Sequence, residues 1–272
     1  MAIFDGTLIC TDLDGTLLRK DKTISKENLD AIEYFKANGG YFTYVTGRMP
    51  FFSFDTYERI KPNAPFGCIN GGGLYDFEKN DYVMKQVISD KVMELVKCID
   101  ENFPNVGIQV NTFYKTYFCK DNSVLVHFRE ICNAENYTCD YMNVEEPVAK
   151  ILFGVETEEE ISGMAKMLHE HPLADDFEFI RSERTLYEIL PKGITKGTAI
   201  KGICDYLGLD ANKTVAIGDY DNDIPMLKAA KIGVAVANAC ENAKKVADYI
   251  TVSNEEHAIA RLIYDLEKGI IK

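Results

Sequence analysis

The chain opens on an apolar run, "TLICTDL", which does not alternate with polar residues and reads as a strand buried on both faces. "SKENLDAIEYFKANGG" follows with helical spacing. Leu29, Ile32 and Phe35 form one stripe, Ser25 stands at the N-cap position, and Gly39-Gly40 stop the helix. "YFTYVTGR" and "FGCING" then read as strands ending in polar turns. Strand, helix, strand at this spacing predicts a parallel α/β arrangement. The same grammar returns toward the C-terminus. "TKGTAIKGICDYLG" is a predicted helix closed by Gly208, "TVAIGD" a buried strand, "DIPMLKAA" a short helix, "IGVAV" a strand, "ENAKKVA" a helix and "YITV" a last strand.

Between these halves the rhythm changes to strands of period-two character: "YVMKQVI", "GIQVN", "KTYFCK", "AKILFGV", "FEFIRS" and "TLYEIL". Helices such as "DKVMELVKCIDENF" and "TEEEISGMAKMLHEH" separate some of them, and Thr157 with Glu160 gives the second a capping box. The change predicts an α+β domain, residues 82–188, inserted into a doubly wound parallel α/β core built from residues 1–81 and 189–272. No repeat of solenoid type and no low-complexity segment interrupts this plan.

Composition narrows the function. A chain of 272 residues with 46% hydrophobic content has material for one large core or two smaller ones. A formal net charge of -13 leaves no broad basic face, so nucleic acid is not an expected partner. An anionic ligand then needs a local positive pocket or a metal. The eight cysteines, among them Cys10, Cys68, Cys98 and Cys204, show no C-x-x-C pair and read as small buried hydrophobes in a reducing compartment. No basic-then-apolar leader and no apolar run of the ~18 residues a membrane span needs is present, so a cytoplasmic location without membrane partners is expected. The sequons at Asn136 and Asn212 then carry no meaning. Oligomeric state is left open.

In parallel α/β sheets the ligand lies beyond the carboxyl ends of the strands. Four predicted core strands end in Asp12-Leu13-Asp14, Thr46-Gly47-Arg48, Asn70-Gly71 and Gly218-Asp219, with Asn222 and Asp223 just after, and these are expected to meet at one crevice. Carboxylates so gathered repel: one pair of unit charges at ~4 Å costs about 4 kcal/mol at an effective dielectric of ~20. A Mg2+ ion held by Asp12 and Asp219 would cancel much of that and let a carboxylate approach a phosphate dianion. The earlier "FDGTL" at Phe4 to Leu8 lacks both the partner aspartate and the preceding strand.

These motifs resemble those of the haloacid dehalogenase superfamily of phosphatases. "DLDGT" is similar to its D-x-D-x-T signature, "VTGR" to its hydroxyl motif, "ITKG" to its lysine motif and "GDYDND" to its acidic metal motif. "NGG" at Asn70, "EILPKGITKG", "AIGDYDNDIPML" and "VAVANA" resemble the Cof-like branch with its C2-type cap over almost the whole core. The insert matches in position and strand-helix pattern alone. One departure is Gly71-Gly72-Gly73, where that branch has one glycine followed by a small residue.

The resemblance implies that Asp12 attacks phosphorus, and that Asp14 protonates the leaving oxygen and later takes a proton from water. It implies metal ligation by Asp12, Asp219 and the Asp14 carbonyl, with Gly15 allowing the sharp turn. Leu13, Thr46, the Gly47 amide, Lys196 and Asn222 would hold the phosphoryl group. Asp223 would orient Lys196 or a water on the metal, with Asn70, Arg48 and Asn238 in supporting places. The implied function is Mg2+-dependent hydrolysis of small phosphorylated metabolites such as sugar phosphates, the insert choosing among them. A phosphotransferase or phosphomutase would share every catalytic residue. A receiver-type signalling module is shorter and lacks an insert, and dinucleotide binding would need a G-x-G-x-x-G that follows no strand here.

Taken alone, several of these residues have plainer readings. Arg48 reads as a surface charge, Lys196 as a helix-end lysine and Asn70-Gly71 as an ordinary turn. "HEH" at His169 to His171 precedes Pro172 at a helix end, where histidine favours the dipole and solvent over a metal. Which way Arg181, Ser182 and Tyr187 face is not set by the strand pattern.

Overall fold

A computed structural model describes residues 2–271, and these divide into two compact units. One runs to Met84 and resumes at Thr195; the other is Lys85–Ile194. The first begins with β1 (Leu8–Thr11), α1 (Lys26–Ala37), β2 (Tyr41–Tyr44), α2 (Phe54–Ile60), β3 (Phe66–Cys68), β4 (Gly73–Asp76) and β5 (Asp81–Lys85). The second contains α3 (Val92–Asn102), β6 (Gly107–Thr112), β7 (Thr116–Lys120), α4 (Ser123–Ile131), β8 (Val148–Gly154), α5 (Glu158–Glu170), β9 (Phe177–Glu183) and β10 (Leu186–Pro191). The first unit then finishes with α6 (Lys196–Leu207), β11 (Thr214–Gly218), α7 (Ile224–Ala229), β12 (Ile232–Ala235), α8 (Glu241–Val246), β13 (Tyr249–Ile250) and α9 (Ala258–Glu267).

The first unit is a doubly wound α/β core. Its main sheet has the order β13-β12-β11-β1-β2, with every neighbour parallel. All four residues of β1 and all five of β11 are buried, which is why their sequences read as unbroken apolar runs. Residues 66–70 were expected to supply a further strand of this sheet. Instead β3 meets the residue just past β2 in a single Val45–Gly67 bridge and pairs antiparallel with β4, because the chain reverses at Ile69–Gly71 through left-handed backbone.

The boundaries of the insert also differ from the expected 82 and 188. β5 pairs with β4, so the chain belongs to the first unit until Met84. β10 pairs with both β8 and β9 as far as Pro191, which carries the second unit past Glu188. The second unit is an antiparallel sheet of order β7-β6-β8-β10-β9. Its core gathers Val92, Leu95, Val96 and Ile99 of α3 and Ile161, Met164 and Leu168 of α5 against Ile108, Val110, Ile151, Phe153 and Ile189. Thr157 caps α5 as expected, its Oγ1 accepting from Glu160 N at 3.2 Å. Three cysteines, Cys10, Cys68 and Cys204, are buried; Cys98 and the other four are only half-buried, and all eight are free thiols. No helix among the described residues is long and apolar enough to cross a membrane.

The pattern places α1 well but not its packing. Ser25 caps it, and Ala31, Ile32 and Phe35 are buried, yet Asn28 is fully buried while Leu29 is only half so. The reason lies at α9. Its N-cap, His257, has a left-handed φ of 62° and gives no side-chain cap bond. One of the amides this leaves orphaned, Ala260 N, donates to Asn28 Oδ1 at 3.0 Å, so α1 caps α9 across the core. Asn28→Ala should therefore cost about 1–3 kcal/mol in urea denaturation, the penalty of a buried amide left unpaired. A loss below about 0.5 kcal/mol would mean that water takes over the bond.

Candidate active site

Register brings the expected site residues together. Thr11 of β1 lies opposite Ile217 of β11 and Tyr44 of β2, so the residues just beyond all three strands share one sheet edge. Asp12 is held there by its own amide, which donates to Ile217 O at 2.9 Å. Asp12-Leu13-Asp14, Thr46-Gly47-Arg48 and Asp219 thus project from one carboxyl edge.

Lys196 organises this edge. Its ammonium donates to Asp12 Oδ1 at 2.5 Å and to Asp223 Oδ1 at 2.6 Å, and all three side chains are buried. The second oxygen of Asp223 accepts from the amides of Asp219 and Tyr220 at 2.8 and 3.0 Å. Asp223 is therefore occupied as an acceptor on both oxygens. Asp219 is half-buried and takes one hydroxyl bond, from Thr16 Oγ1 at 2.9 Å. Burial raises the Asp12 carboxyl well above its ordinary value, aided by the Asp223 and Asp219 charges and opposed by Lys196. Burial and Asp223 push Asp219 up to about 6. Burial would lower Lys196, but the Asp12 and Asp223 charges outweigh it and raise the ammonium's pKa.

Asp14 lies in a different environment. Arg48 donates to both its oxygens, from Nη2 at 2.9 and 2.8 Å, and Lys22 Nζ donates to Oδ1 at 2.7 Å. Burial would raise this carboxyl; Arg48 and then Lys22 overcome it and hold it below the usual value. Arg48 is thus not the solvated surface charge its sequence position suggests. The turn at Thr46, whose Oγ1 accepts from the Arg48 amide at 3.2 Å, swings the guanidinium onto the Asp14 loop. Lys22 carried no sequence signal, because its pairing depends on the tight turn after Asp14.

Asn70 and Asn222 meet, Asn222 Nδ2 donating to Asn70 Oδ1 at 3.3 Å. Asn238 Nδ2 donates to Gly15 O at 2.8 Å, and its own Oδ1 accepts from the Asn254 amide at 3.0 Å, which steadies the turn beyond Asp14. Gly15 has a φ of 85°, and a Cβ there would lie 2.5 Å from Asp219 Oδ2. Of the three glycines after Asn70, only Gly71 needs left-handed backbone, with a φ of 96°; a Cβ on it would reach within 2.0 Å of Thr195 O.

In the second unit, the open questions resolve within its own sheet. Tyr187 joins the apolar core and its hydroxyl meets His169 Nε2 at 3.3 Å, while His171 Nδ1 accepts from Leu173 N at 3.2 Å. These histidines serve local packing and turn bonds. Arg181 pairs with Glu158 through two bonds of 2.8 and 2.7 Å. The Ser182 hydroxyl oxygen is buried without a hydrogen-bond partner.

The opposite sheet face carries polar residues the sequence reading missed. Ile108 and Val110 point into the core, so Gln109 and Asn111 alternate to the other side. There Asn111 Oδ1 accepts from Gln109 Nε2 at 2.9 Å and from Thr116 Oγ1 at 2.8 Å, while Gln109 Oε1 and Asn111 Nδ2 have no partner. Lys150 and Glu188 form a buried ion pair of 2.8 Å on neighbouring strands. The available signal was a charged residue inside an otherwise apolar strand, "AKILFGV" and "TLYEIL".

The donor set at the sheet edge suits a hard cation. Carboxylate oxygens of Asp12, Asp219 and Asp223 lie within 4.8 Å of one another, all ligand atoms are oxygen, and one lysine does not balance three carboxylates.

Comparison with known proteins agrees with this geometry. The sequence profile of the haloacid dehalogenase-like hydrolases matches residues 9–263. The chain is 30% identical over 261 residues to the 5-amino-6-(5-phospho-D-ribitylamino)uracil phosphatase YitU of Bacillus subtilis, covering 94% of this chain and 96% of that protein. Phosphatase YwpJ of the same organism is 27% identical over 286 residues, covering 95% and 99%. The crystal structure of a haloacid dehalogenase-like hydrolase from Bacteroides thetaiotaomicron superposes with a TM-score of 0.82 at 26% identity, covering 96% of this chain and 99% of that one.

The raised Asp219 carboxyl gives a test of the cation site. Without a cation, folding lifts this group from 3.8 to about 6, so the stability it contributes is present below its unfolded value and lost as pH rises through 6. A divalent cation reverses the penalty where the group is ionised. Saturating Mg2+ should raise the melting temperature by about 5–10 °C at pH 7.5 and by far less at pH 5. Equal shifts at both pH values would place the cation elsewhere.

Proposed function

The chain belongs to the haloacid dehalogenase-like hydrolases and is a phosphatase of the Cof type, and on that premise we propose that it hydrolyses small phosphorylated metabolites through an aspartyl-phosphate on Asp12, with Mg2+. The observation that carries this reading is Asp12 itself. It is a buried carboxylate at the end of a central parallel strand, bonded to Lys196 and beside two further carboxylates.

In the first half-reaction an Asp12 oxygen forms a bond to phosphorus as the bond to the leaving oxygen breaks. Asp14 gives that oxygen its proton. In the second half water attacks phosphorus, Asp14 takes the water's proton, and inorganic phosphate leaves while the Asp12 carboxylate is restored. Arg48 and Lys22 hold Asp14 in the ionised form that accepts a proton. Its donor form requires those cations to turn toward the arriving anion. Thr46, the Leu13 and Gly47 backbone, Lys196 and Asn222 would hold the phosphoryl oxygens, where charge shifts during transfer. Mg2+ held by Asp12, Asp219 and the Asp14 carbonyl would supply the positive charge that lets a carboxylate approach a phosphate. Asp223 serves Lys196 in this scheme, both its oxygens being engaged already.

We assign recognition of the leaving group to the second unit. Support comes from its polar sheet face, where unpaired acceptor and donor atoms on Gln109 and Asn111 sit beside the Lys150–Glu188 pair. Such a set suits a polyhydroxyl group, which offers donors and acceptors together. The named substrate of YitU is a phosphate on a ribityl chain, which is of this chemical kind.

Two experiments test the reading. Asp12→Asn should fold and lose at least about 10^4-fold in turnover, and Asp14→Asn should accumulate acid-quenched phosphoenzyme from p-nitrophenyl phosphate. Turnover near wild type for Asp12→Asn would remove the covalent route, and a phosphorus product other than inorganic phosphate would make the enzyme a phosphotransferase. Asn111→Ala should change the preference among sugar phosphates by about tenfold or more while p-nitrophenyl phosphate is hydrolysed as before. An unchanged ranking would take Asn111 out of leaving-group recognition.

A further inference from the structure

The turn after β3 holds three successive residues with positive φ: Ile69 at 56°, Asn70 at 50° and Gly71 at 96°. The glycine adopts that region without strain and the asparagine at a modest cost. A β-branched residue there is the least tolerated of all, and Ile69 and Asn70 are fully buried. Backbone of this kind persists only where its surroundings over-determine it.

Those surroundings are the segments that carry the groups assigned above to the phosphoryl group. Ile69 N donates to Arg48 O at 3.1 Å and Asn70 N donates to Thr46 O at 3.0 Å, which laces the turn to the Thr46–Arg48 segment. Thr198 Oγ1, which donates to Thr195 O at 2.7 Å, also lies 3.4 Å from Gly71 O, and Gly71 lies against the Thr195 carbonyl at the start of the helix that carries Lys196. The Asn70 carboxamide accepts from Asn222 on one side. On the other it packs on Gly47 so closely that a Cβ there would stand 3.0 Å from Asn70 Nδ2. The Asn70 side chain thus touches the segments of Gly47 and Asn222, its backbone touches that of Thr46, and the next residue, Gly71, touches that of Lys196.

We propose that Asn70 is a positioning residue for phosphoryl transfer, its left-handed backbone setting the carboxamide between Gly47 and Asn222 so that the groups holding the phosphoryl oxygens keep a fixed spacing. This rests on the phosphatase reading above. The strain makes sense in those terms. A turn selected only to reverse the chain would use glycine at both positions, whereas here an asparagine keeps the left-handed conformation and adds a rigid planar amide. Asn70 acts through its neighbours, so its loss should weaken binding of a trigonal-bipyramidal phosphoryl mimic more than binding of a relaxed phosphate.

The test uses the full chain with Mg2+, comparing wild type, Asn70→Gly and Asn70→Asp. Glycine relieves the strain and deletes the carboxamide; aspartate keeps the shape but adds a negative charge. Asn70→Gly should melt at or above wild type, lose about tenfold or more in kcat on p-nitrophenyl phosphate with KM changed much less, and bind orthovanadate about tenfold or more weakly by calorimetry. Its affinity for inorganic phosphate should fall less. Asn70→Asp should stay folded and lose at least as much vanadate affinity. An Asn70→Gly that matches wild type in kcat and vanadate binding, or whose losses track only a lowered melting temperature, overturns the proposal. A wild type that neither binds vanadate nor hydrolyses any phosphomonoester overturns the phosphatase reading and this proposal with it.

Discussion

Lys196 is the group on which the rest of the first unit's design depends. Burying an ammonium between two carboxylates is worthwhile only when the geometry is tight and every remaining lone pair is used, because desolvation otherwise exceeds the attraction. Asp223 meets that condition, with a bond of 2.6 Å from Lys196 on one oxygen and two backbone amides on the other, and Lys196 bonds Asp12 Oδ1 at 2.5 Å. Space for the arrangement comes from missing side chains. A Cβ on Gly218 would lie 2.6 Å from that of Asp223, and one on Gly197 would lie 2.6 Å from the Pro225 carbonyl. An apolar trio of similar volume would be as stable or more so. The role proposed for Asp12 would account for the charges.

The parts of this fold that were legible in the sequence are those whose cause is local. β1 and β11 read as strands because both faces are covered and the run is apolar throughout. α6 reads as a helix because Gly208 ends it in the left-handed conformation, with a φ of 67°. The site motifs were legible for a related reason. Strand ends of a parallel sheet share one edge, so a polar residue after an apolar run already has an address.

What was not legible has a non-local cause. α9 has no cap in its own sequence, because the cap is Asn28, more than two hundred residues away. β3 was misplaced since nothing in "CING" announces an isoleucine and an asparagine in left-handed backbone; the bonds that impose it come from Thr46 and Arg48. Arg48 and Lys22 have long side chains whose partner is set by the fold of the Asp14 turn, so a charge that looks solvated from its neighbours ends on a carboxylate.

The second unit shows the same contrast across a single sheet. One face is fixed by packing against α3 and α5 and could be any set of residues of matching volume. The other face gives up that freedom: Gln109, Asn111, Thr116, Lys150 and Glu188 are buried there, and two amide atoms go unpaired. A core under selection for stability alone would replace such a face with aliphatic residues, since each buried unpaired polar atom costs about 1–3 kcal/mol. The leaving-group recognition proposed above would account for its retention. In the first unit Lys196 and Asp223 are satisfied internally, and what is left over is the negative charge of Asp12 and Asp219, which calls for a cation rather than a polyhydroxyl group.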